Sequence, residues 1–137
     1  RTAHSLILAL SKFKDIKVRT IAPKELHFTD DYKKPYLSSG NNLEEHAEMN
    51  VGDVDAIYVT GFPHKLPVGE FSQETQAKYS ITPGVISKLK GEAIVLCPLP
   101  RIDEIDTKID NQPSAKYFKQ SENGLYMRMA ILDSFLR

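Results

Sequence analysis

Ala93-Ile94-Val95-Leu96-Cys97-Pro98-Leu99-Pro100-Arg101 is the stretch that decides the fold. Its first half is short, apolar and β-branched and follows Gly91, so it reads as a buried strand over 93–97. Its second half stops that strand, because Pro98 and Pro100 have no backbone N–H to donate to a sheet. The exit is a rigid turn that carries backbone carbonyls and an arginine at the carboxyl edge of the strand. In open α/β sheets that edge is where ligands bind.

The same pattern recurs upstream. Lys17–Ala22 reads as a strand stopped by Pro23, and Asp55–Thr60 as a strand stopped by Gly61-Phe62-Pro63. Ala3, Leu6, Ile7, Leu10 and Phe13 recur at helical spacing and predict a helix over 3–13. Thr82-Pro83 predicts an N-cap and first helical residue for a short helix over 83–90. Ala115–Leu136 places Phe118, Leu125, Met129, Leu132 and Leu136 on one face of a long helix, with Gly124 as its weak point. Tyr32-Lys33-Lys34-Pro35 and Ser38-Ser39-Gly40-Asn41-Asn42 read as loops, and Leu43–Met49 as a short helix. Residues 62–80, with Pro63, Pro67 and Gly69, read as irregular, and 104–110 as one or two helical turns. Helices alternating with β-branched strands predict one three-layer α/β domain over 1–137. Its sheet is mostly parallel and a long C-terminal helix closes it. A strand is expected ahead of the first helix to complete its βαβ unit. With Arg1 in place of a methionine, the chain reads as a fragment, a processed product or an incomplete reading frame.

Composition excludes several function classes. The 137 residues are 41% hydrophobic and 26% charged, an ordinary globular mixture for one domain. Eighteen basic residues balance eighteen acidic ones, so bulk charge favours neither nucleic acid nor an anionic membrane. No apolar run approaches the ~20 residues of a membrane span, and no signal peptide is visible. The single Cys97 excludes an internal disulfide and a cysteine-based zinc cluster. A reducing, cytoplasmic compartment is expected.

Few residues carry chemistry by spacing alone. Arg1, Thr2 and Ser5 at a helix N-terminus offer an anion site; the plainer alternative is a frayed terminus with Ser5 inside the helix. His4, His27, His46 and His64 show no ligand spacing, so no metal is expected. Cys97 is read as a small buried hydrophobe, and as a nucleophile only if Arg101 supplies the cation. Asp103, Glu104, Asp106 and Asp110 read as a solvated helix start, paired by charge with Arg101 in the turn. Phosphate-loop and nucleophile-elbow motifs are absent.

Five segments in order resemble the carboxyl-terminal half of the aspartate carbamoyltransferases, in the aspartate/ornithine carbamoyltransferase superfamily. They are Arg1-Thr-Ala-His-Ser-Leu6, Ile57-Tyr-Val-Thr60, Pro98-Leu-Pro-Arg-Ile-Asp-Glu-Ile105, Ala115-Lys-Tyr-Phe-Lys-Gln120 and Asn123-Gly-Leu-Tyr-Met-Arg-Met-Ala-Ile-Leu132. The resemblance implies a Rossmann-like amino-acid-binding domain that takes aspartate and needs no cofactor. It also implies a partner half that binds carbamoyl phosphate through a Ser-Thr-Arg-Thr loop. That motif is not in this sequence, so the isolated chain is expected to be inactive. Family enzymes are trimers with sites between subunits, which implies a homo-oligomer, or association with a complete carbamoyltransferase chain. The implied pathway is pyrimidine biosynthesis.

Residue by residue, Arg1 matches the arginine that grips an aspartate carboxylate. Pro98 and Leu99 match positions whose carbonyls meet the carbamoyl and amine groups, and Leu99–Pro100 matches a cis peptide. Arg101 is taken with them as substrate-binding. His4, Glu104 and Arg128 match supporting positions, and no residue is assigned as catalytic.

The departures lie after Ile57-Tyr-Val-Thr60. The family pattern there is Arg-x-Gln-Lys-Glu-Arg, and this chain has Gly61-Phe-Pro-His-Lys-Leu66. The arginine for a second carboxylate is Gly61 and the glutamine is Pro63, with His64 or Lys65 as possible stand-ins; Cys97 replaces a histidine. Three readings follow. The chain is an aspartate carbamoyltransferase domain, a relative with a different amine substrate, or a non-catalytic structural or regulatory subunit.

Overall fold

A computed structural model describes residues 1–62 and 72–137, so Pro63, His64, Lys65 and Leu66 lie outside the described residues. The chain separates into two compact units, one of Arg1–Asn50 with Phe62–Tyr79 and one of Val51–Gly61 with Ser80–Arg137.

The first unit opens with α1 (Thr2–Leu10) and β1 (Lys17–Ile21), as the spacing predicts, although the helix stops at Leu10. Two departures follow. The Tyr32–Pro35 segment is not a loop but part of α2 (Asp30–Ser38), which holds Pro35 inside it. Asp30 and Asp31 in its first turn suit the helix dipole, and Tyr36 is completely buried. Tyr36 joins Ile7 and Phe28 in the core, so packing overrides the proline. Leu43–Met49 is not a helix either: β2 (Asn42–His46) runs parallel to β1, with Lys17 opposite Asn42 and Arg19 opposite Glu44. Loop chemistry holds at 39–41, where Ser39 caps α2 and Gly40 takes φ +86°. Asn41 is buried there. Its Oδ1 accepts from the Ile16 N–H at 3.0 Å and its Nδ2 donates to the Phe13 carbonyl at 3.0 Å. Within 62–80, the irregular reading fails at α3 (Gln73–Tyr79).

The second unit pairs β3 (Ala56–Tyr58) with β4 (Ile94–Leu96), again in parallel, with Ile57 opposite Val95. Between them lies α4 (Pro83–Ile86), shorter than predicted; Thr82 occupies its N-cap position without a side-chain capping bond. On the other flank of β4, the Val95 N–H donates to the Ser114 carbonyl at 2.7 Å and the Lys116 N–H to the Val95 carbonyl at 2.9 Å. Those bonds seat α5 (Tyr117–Leu136), which runs unbroken through Gly124. Tyr117 is its buried residue. The predicted apolar face exists but is exposed: Leu125 is 56%, Met129 57%, Leu132 62% and Leu136 85% accessible. The 104–110 segment supplies one 3-10 turn, Thr107–Ile109, capped by Asp106, which accepts from the Lys108 N–H.

Candidate functional site

The carboxyl ends of β3 and β4 emerge side by side. Past β3 the Val59 N–H still donates to the Leu96 carbonyl at 2.8 Å, and the chains then diverge into Thr60-Gly61 and Cys97–Arg101. The turn has the geometry its prolines dictate. The Leu99–Pro100 peptide is cis, and Leu99 sits at φ +46°, in the left-handed region that costs a side-chain-bearing residue on the order of 1–3 kcal/mol. Pro98 is exposed and Leu99 half-buried. Among the described residues, no backbone N–H donates to either carbonyl, so both are available acceptors.

Three anchors hold this turn. The Gln120 side chain of α5 accepts from the Cys97 N–H at 2.9 Å. The Cys97 thiol is 2% exposed, and burial pushes its pKa up, with the Glu104 charge adding to the effect. Arg101 opposes that rise too weakly to reverse it, so the nucleophile reading is overturned and the buried-hydrophobe reading stands.

Arg101 is the second anchor. Its Nη2 donates to Asp110 Oδ2 at 2.6 Å, its Nη1 to Asp110 Oδ1, and the same nitrogen to the Tyr117 hydroxyl at 3.0 Å. The Tyr117 hydroxyl in turn donates to Asp110. The guanidinium lies 5.3 Å from the Tyr117 ring centroid and 5.7 Å from that of Phe118. The Arg101 hydrogen bond holds the Asp110 carboxyl down at about 2, while burial first, and Asp110 second, push the Tyr117 phenol up to about 12. The charge pair expected within the turn is therefore made with Asp110, nine residues on, and not with Asp103 or Glu104. The guanidinium taken as substrate-binding is engaged in this clamp.

Glu104 is the third anchor and the main departure from the sequence reading. It is not part of a solvated helix start: it is 2% exposed. Its Oε2 accepts from the N–H groups of Ile102 at 3.0 Å and Asp103 at 3.1 Å, and its backbone carbonyl accepts from the Ile81 N–H at 2.9 Å. Its Oε1 faces Gly61, where a Cβ would lie 3.7 Å away. No sequence spacing reveals this, because the partners that bury Glu104 are backbone groups.

Three candidates remain. Arg128 is exposed on α5, its guanidinium beside Gly124. Arg1 and His4 belong to the first unit. Arg1 is exposed at the N-cap of α1, and the His4 ring stacks on Tyr32 with centroids 4.0 Å apart. The Ser5 hydroxyl donates back to the Thr2 carbonyl at 3.0 Å, as expected of a serine inside the helix. Among the described residues, no group of three histidine, cysteine or acidic side chains is placed to hold a metal ion, and no helix is long and apolar enough to cross a membrane.

Comparison with known proteins adds a family. The model described as the Asp/Orn binding domain of aspartate/ornithine carbamoyltransferase matches residues 1–135. The aspartate carbamoyltransferase catalytic subunit of Methanocorpusculum labreanum is 38% identical over 143 residues, covering 99% of this chain and 46% of that protein. The catalytic subunit of M. jannaschii aspartate transcarbamoylase superposes with a TM-score of 0.86 at 35% identity, over 98% of this chain and 45% of that one. The Trypanosoma cruzi aspartate transcarbamoylase, solved with carbamoyl phosphate and aspartate, superposes with a TM-score of 0.85 at 31% identity, over 96% and 43%. The chain thus spans less than half the length of these relatives.

Proposed function

Because the chain belongs to the aspartate/ornithine carbamoyltransferase family, we propose that it forms the amino-acid side of a carbamoyl-transfer site. The supporting observation is the Pro98–Arg101 turn. It sets two unoccupied carbonyls at the carboxyl edge of a parallel strand pair and fixes them with Gln120, Asp110 and Glu104. Carbonyls so placed accept hydrogen bonds from an incoming amine and orient its lone pair. The amine nitrogen attacks the carbamoyl carbon of carbamoyl phosphate and an N–C bond forms. The C–O bond to phosphate breaks, phosphate leaves with the electron pair, and the amine gives up a proton. Positioning and charge carry such a reaction. In this reading Arg1 grips a substrate carboxylate, and His4 and Arg128 support the site.

Aspartate is the first reading for the amine, giving carbamoyl aspartate for pyrimidine biosynthesis. Gly61 favours a second: with no side chain there, a second carboxylate meets no cation from that position. A cytoplasmic trimer, completed by a half that binds carbamoyl phosphate, is the assembly we propose. The test is a full-length protein that includes this domain, supplied with carbamoyl phosphate and a panel of amino acids. Stoichiometric carbamoyl amino acid and phosphate support the reading, and an Arg1→Ala variant is expected to raise KM at least tenfold. The 137-residue chain alone is expected to give no turnover. Absence of carbamoyl transfer to every amine by the full-length protein would sink the enzymatic reading and leave that of a structural or regulatory subunit. Stable co-elution with a separate carbamoyltransferase would then support that role.

A further inference from the structure

We propose that Tyr32 is a positioning residue for Arg1. Its ring, stacked on His4, holds the first turn of α1 in place, and with it the guanidinium that grips a substrate carboxylate. This rests on the proposed role of Arg1 and adds to it a residue from a different helix.

Among the described residues, the first turn of α1 is uncapped. Arg1 stands at the N-cap position without a side-chain capping bond, and no acidic residue in the turn meets the helix dipole. Two bonds keep the turn together from within. The Ser5 N–H donates to the Arg1 carbonyl at 3.0 Å, and the Ser5 hydroxyl donates to the Thr2 carbonyl at 3.0 Å. They tie Arg1 to the turn, so whatever fixes the turn fixes the backbone from which Arg1 reaches out.

Ala3 and His4 connect this turn to the rest of the unit. Ala3 packs against the core with a single methyl group. The His4 ring does more: it lies 4.0 Å from the Tyr32 ring, centroid to centroid, with only 15° between the planes, and 5.8 Å from the Phe28 ring. A near-parallel stack of two flat rings fixes tilt as well as distance. His4 is also three positions from Arg1, so the two are neighbours on the helix surface.

Tyr32 is itself firmly seated. It packs against the cluster of Ile7, Phe28 and Tyr36. Tyr36, one turn further along α2, is completely buried, and its hydroxyl donates to the Ile16 carbonyl at 2.8 Å. Contacts therefore run from the core through Tyr32 and His4 to the turn that carries Arg1. A shift of about 1 Å in a group that positions substrate can cost up to ~100-fold, so this support bears on substrate binding.

The test uses the full-length protein, with L-aspartate as the substrate and succinate, which has no amine to react, as the binding probe in the presence of carbamoyl phosphate. Tyr32→Leu removes the flat face and keeps apolar bulk. It is expected to raise the KM for aspartate at least about threefold and to weaken succinate by the same factor, with kcat and the KM for carbamoyl phosphate within about twofold of the parent. Tyr32→Phe keeps the ring and is expected to match the parent. Partial loss of the fold would instead lower kcat and leave KM alone. In an Arg1→Ala background, Tyr32→Leu is expected to add nothing, because its effect passes through Arg1. A parent-like KM and succinate affinity in Tyr32→Leu, beside a raised KM in Arg1→Ala, would overturn this proposal and leave the role of Arg1 standing. So would a Tyr32→Leu effect of equal size with and without Arg1. An unchanged KM in Arg1→Ala would break the role of Arg1 and this proposal with it.

Discussion

The two parallel strand pairs are built alike and finished differently. Across β1–β2 the charges answer one another. Glu44 meets Lys17 at 2.8 Å, Arg19 at 3.2 Å and His46 at 3.5 Å, while Glu45 meets Lys33 at 2.6 Å and His27 at 3.7 Å. The Lys17 hydrogen bond leads the downward pull on the Glu44 carboxyl. Across β3–β4 the strands are mostly apolar; Asp55 pairs with Lys90 ahead of β3, and the turn's acceptors lie at the carboxyl edge. There two carbonyls and one carboxylate oxygen lack a cation or backbone donor among the described residues. Paired charge on a half-exposed strand pair contributes little energy, and it is not complete here, since Glu45 Oε1 and Thr20 Oγ1 are buried without a hydrogen-bond partner. Fixed acceptors at a strand edge that lack a donor are what the carbamoyl-transfer proposal uses, and breaking their anchors tests it.

The largest way to break this contrast is at the clamp. Arg101→Met removes the guanidinium from Asp110 and from the Tyr117 hydroxyl in a half-buried setting, and leaves Asp110 with the Tyr117 O–H as its donor. Removing one partner of such a pair is expected to cost about 2–3 kcal/mol, read as a lower urea midpoint at unchanged slope. The same variant should weaken amine binding, because the turn loses the anchor that follows Pro100. A midpoint equal to that of the parent would show that the turn is held by its prolines alone.

Acid tests the same clamp without a substitution. Asp110 titrates at about 2 in the fold against 3.8 as its ordinary value. A carboxyl with a depressed pKa contributes stability that is present above the ordinary value and lost as pH falls toward the folded one. The parent should thus lose up to about 2 kcal/mol between pH 4 and pH 2 from this group. Asp110→Asn should be less stable at pH 7 and flatter across that window. An identical slope for both proteins would assign the acid sensitivity elsewhere. Gln120→Leu, next in size, orphans the Cys97 N–H and is expected to cost about 1–3 kcal/mol by thermal unfolding.

How much of this could be read from the residues follows from the same contrast. β4 and its turn were legible because both signals are local: an apolar β-branched run and two prolines that end it. The seat of α5 was legible from the periodicity that starts at Phe118, but the exposure of that face was not, since periodicity names a face without naming what covers it. β2 was illegible because Asn42-Leu43-Glu44-Glu45-His46 has no strand pattern of its own. Its strand state comes from pairing with Lys17 and Arg19, some 25 positions away. α2 was hidden by Pro35, whose cost is met by the burial of Tyr36. In the site, the Pro98–Arg101 turn was visible, whereas the depth of Glu104 and the true partner of Arg101 depend on backbone donors and on a residue nine positions on.

The smallest effect sharpens the comparison from the other side. Lys33→Met removes the shortest ion pair among the described residues of the first unit, 2.6 Å to Glu45, where both side chains are about a quarter exposed. Pairs of this kind are worth about 0.2–1 kcal/mol, and screening by salt erodes them. The variant should lower the unfolding midpoint by no more than that, and the difference should shrink when sodium chloride is raised from low concentration to about 1 M. Arg101→Met, which removes a guanidinium bidentate to Asp110 and flanked by two aromatic rings, should keep most of its deficit at high salt. If both deficits faded equally, the clamp would belong with the surface pairs of β1–β2. Fixed polarity at the β3–β4 edge would then lose its claim to be built for a ligand.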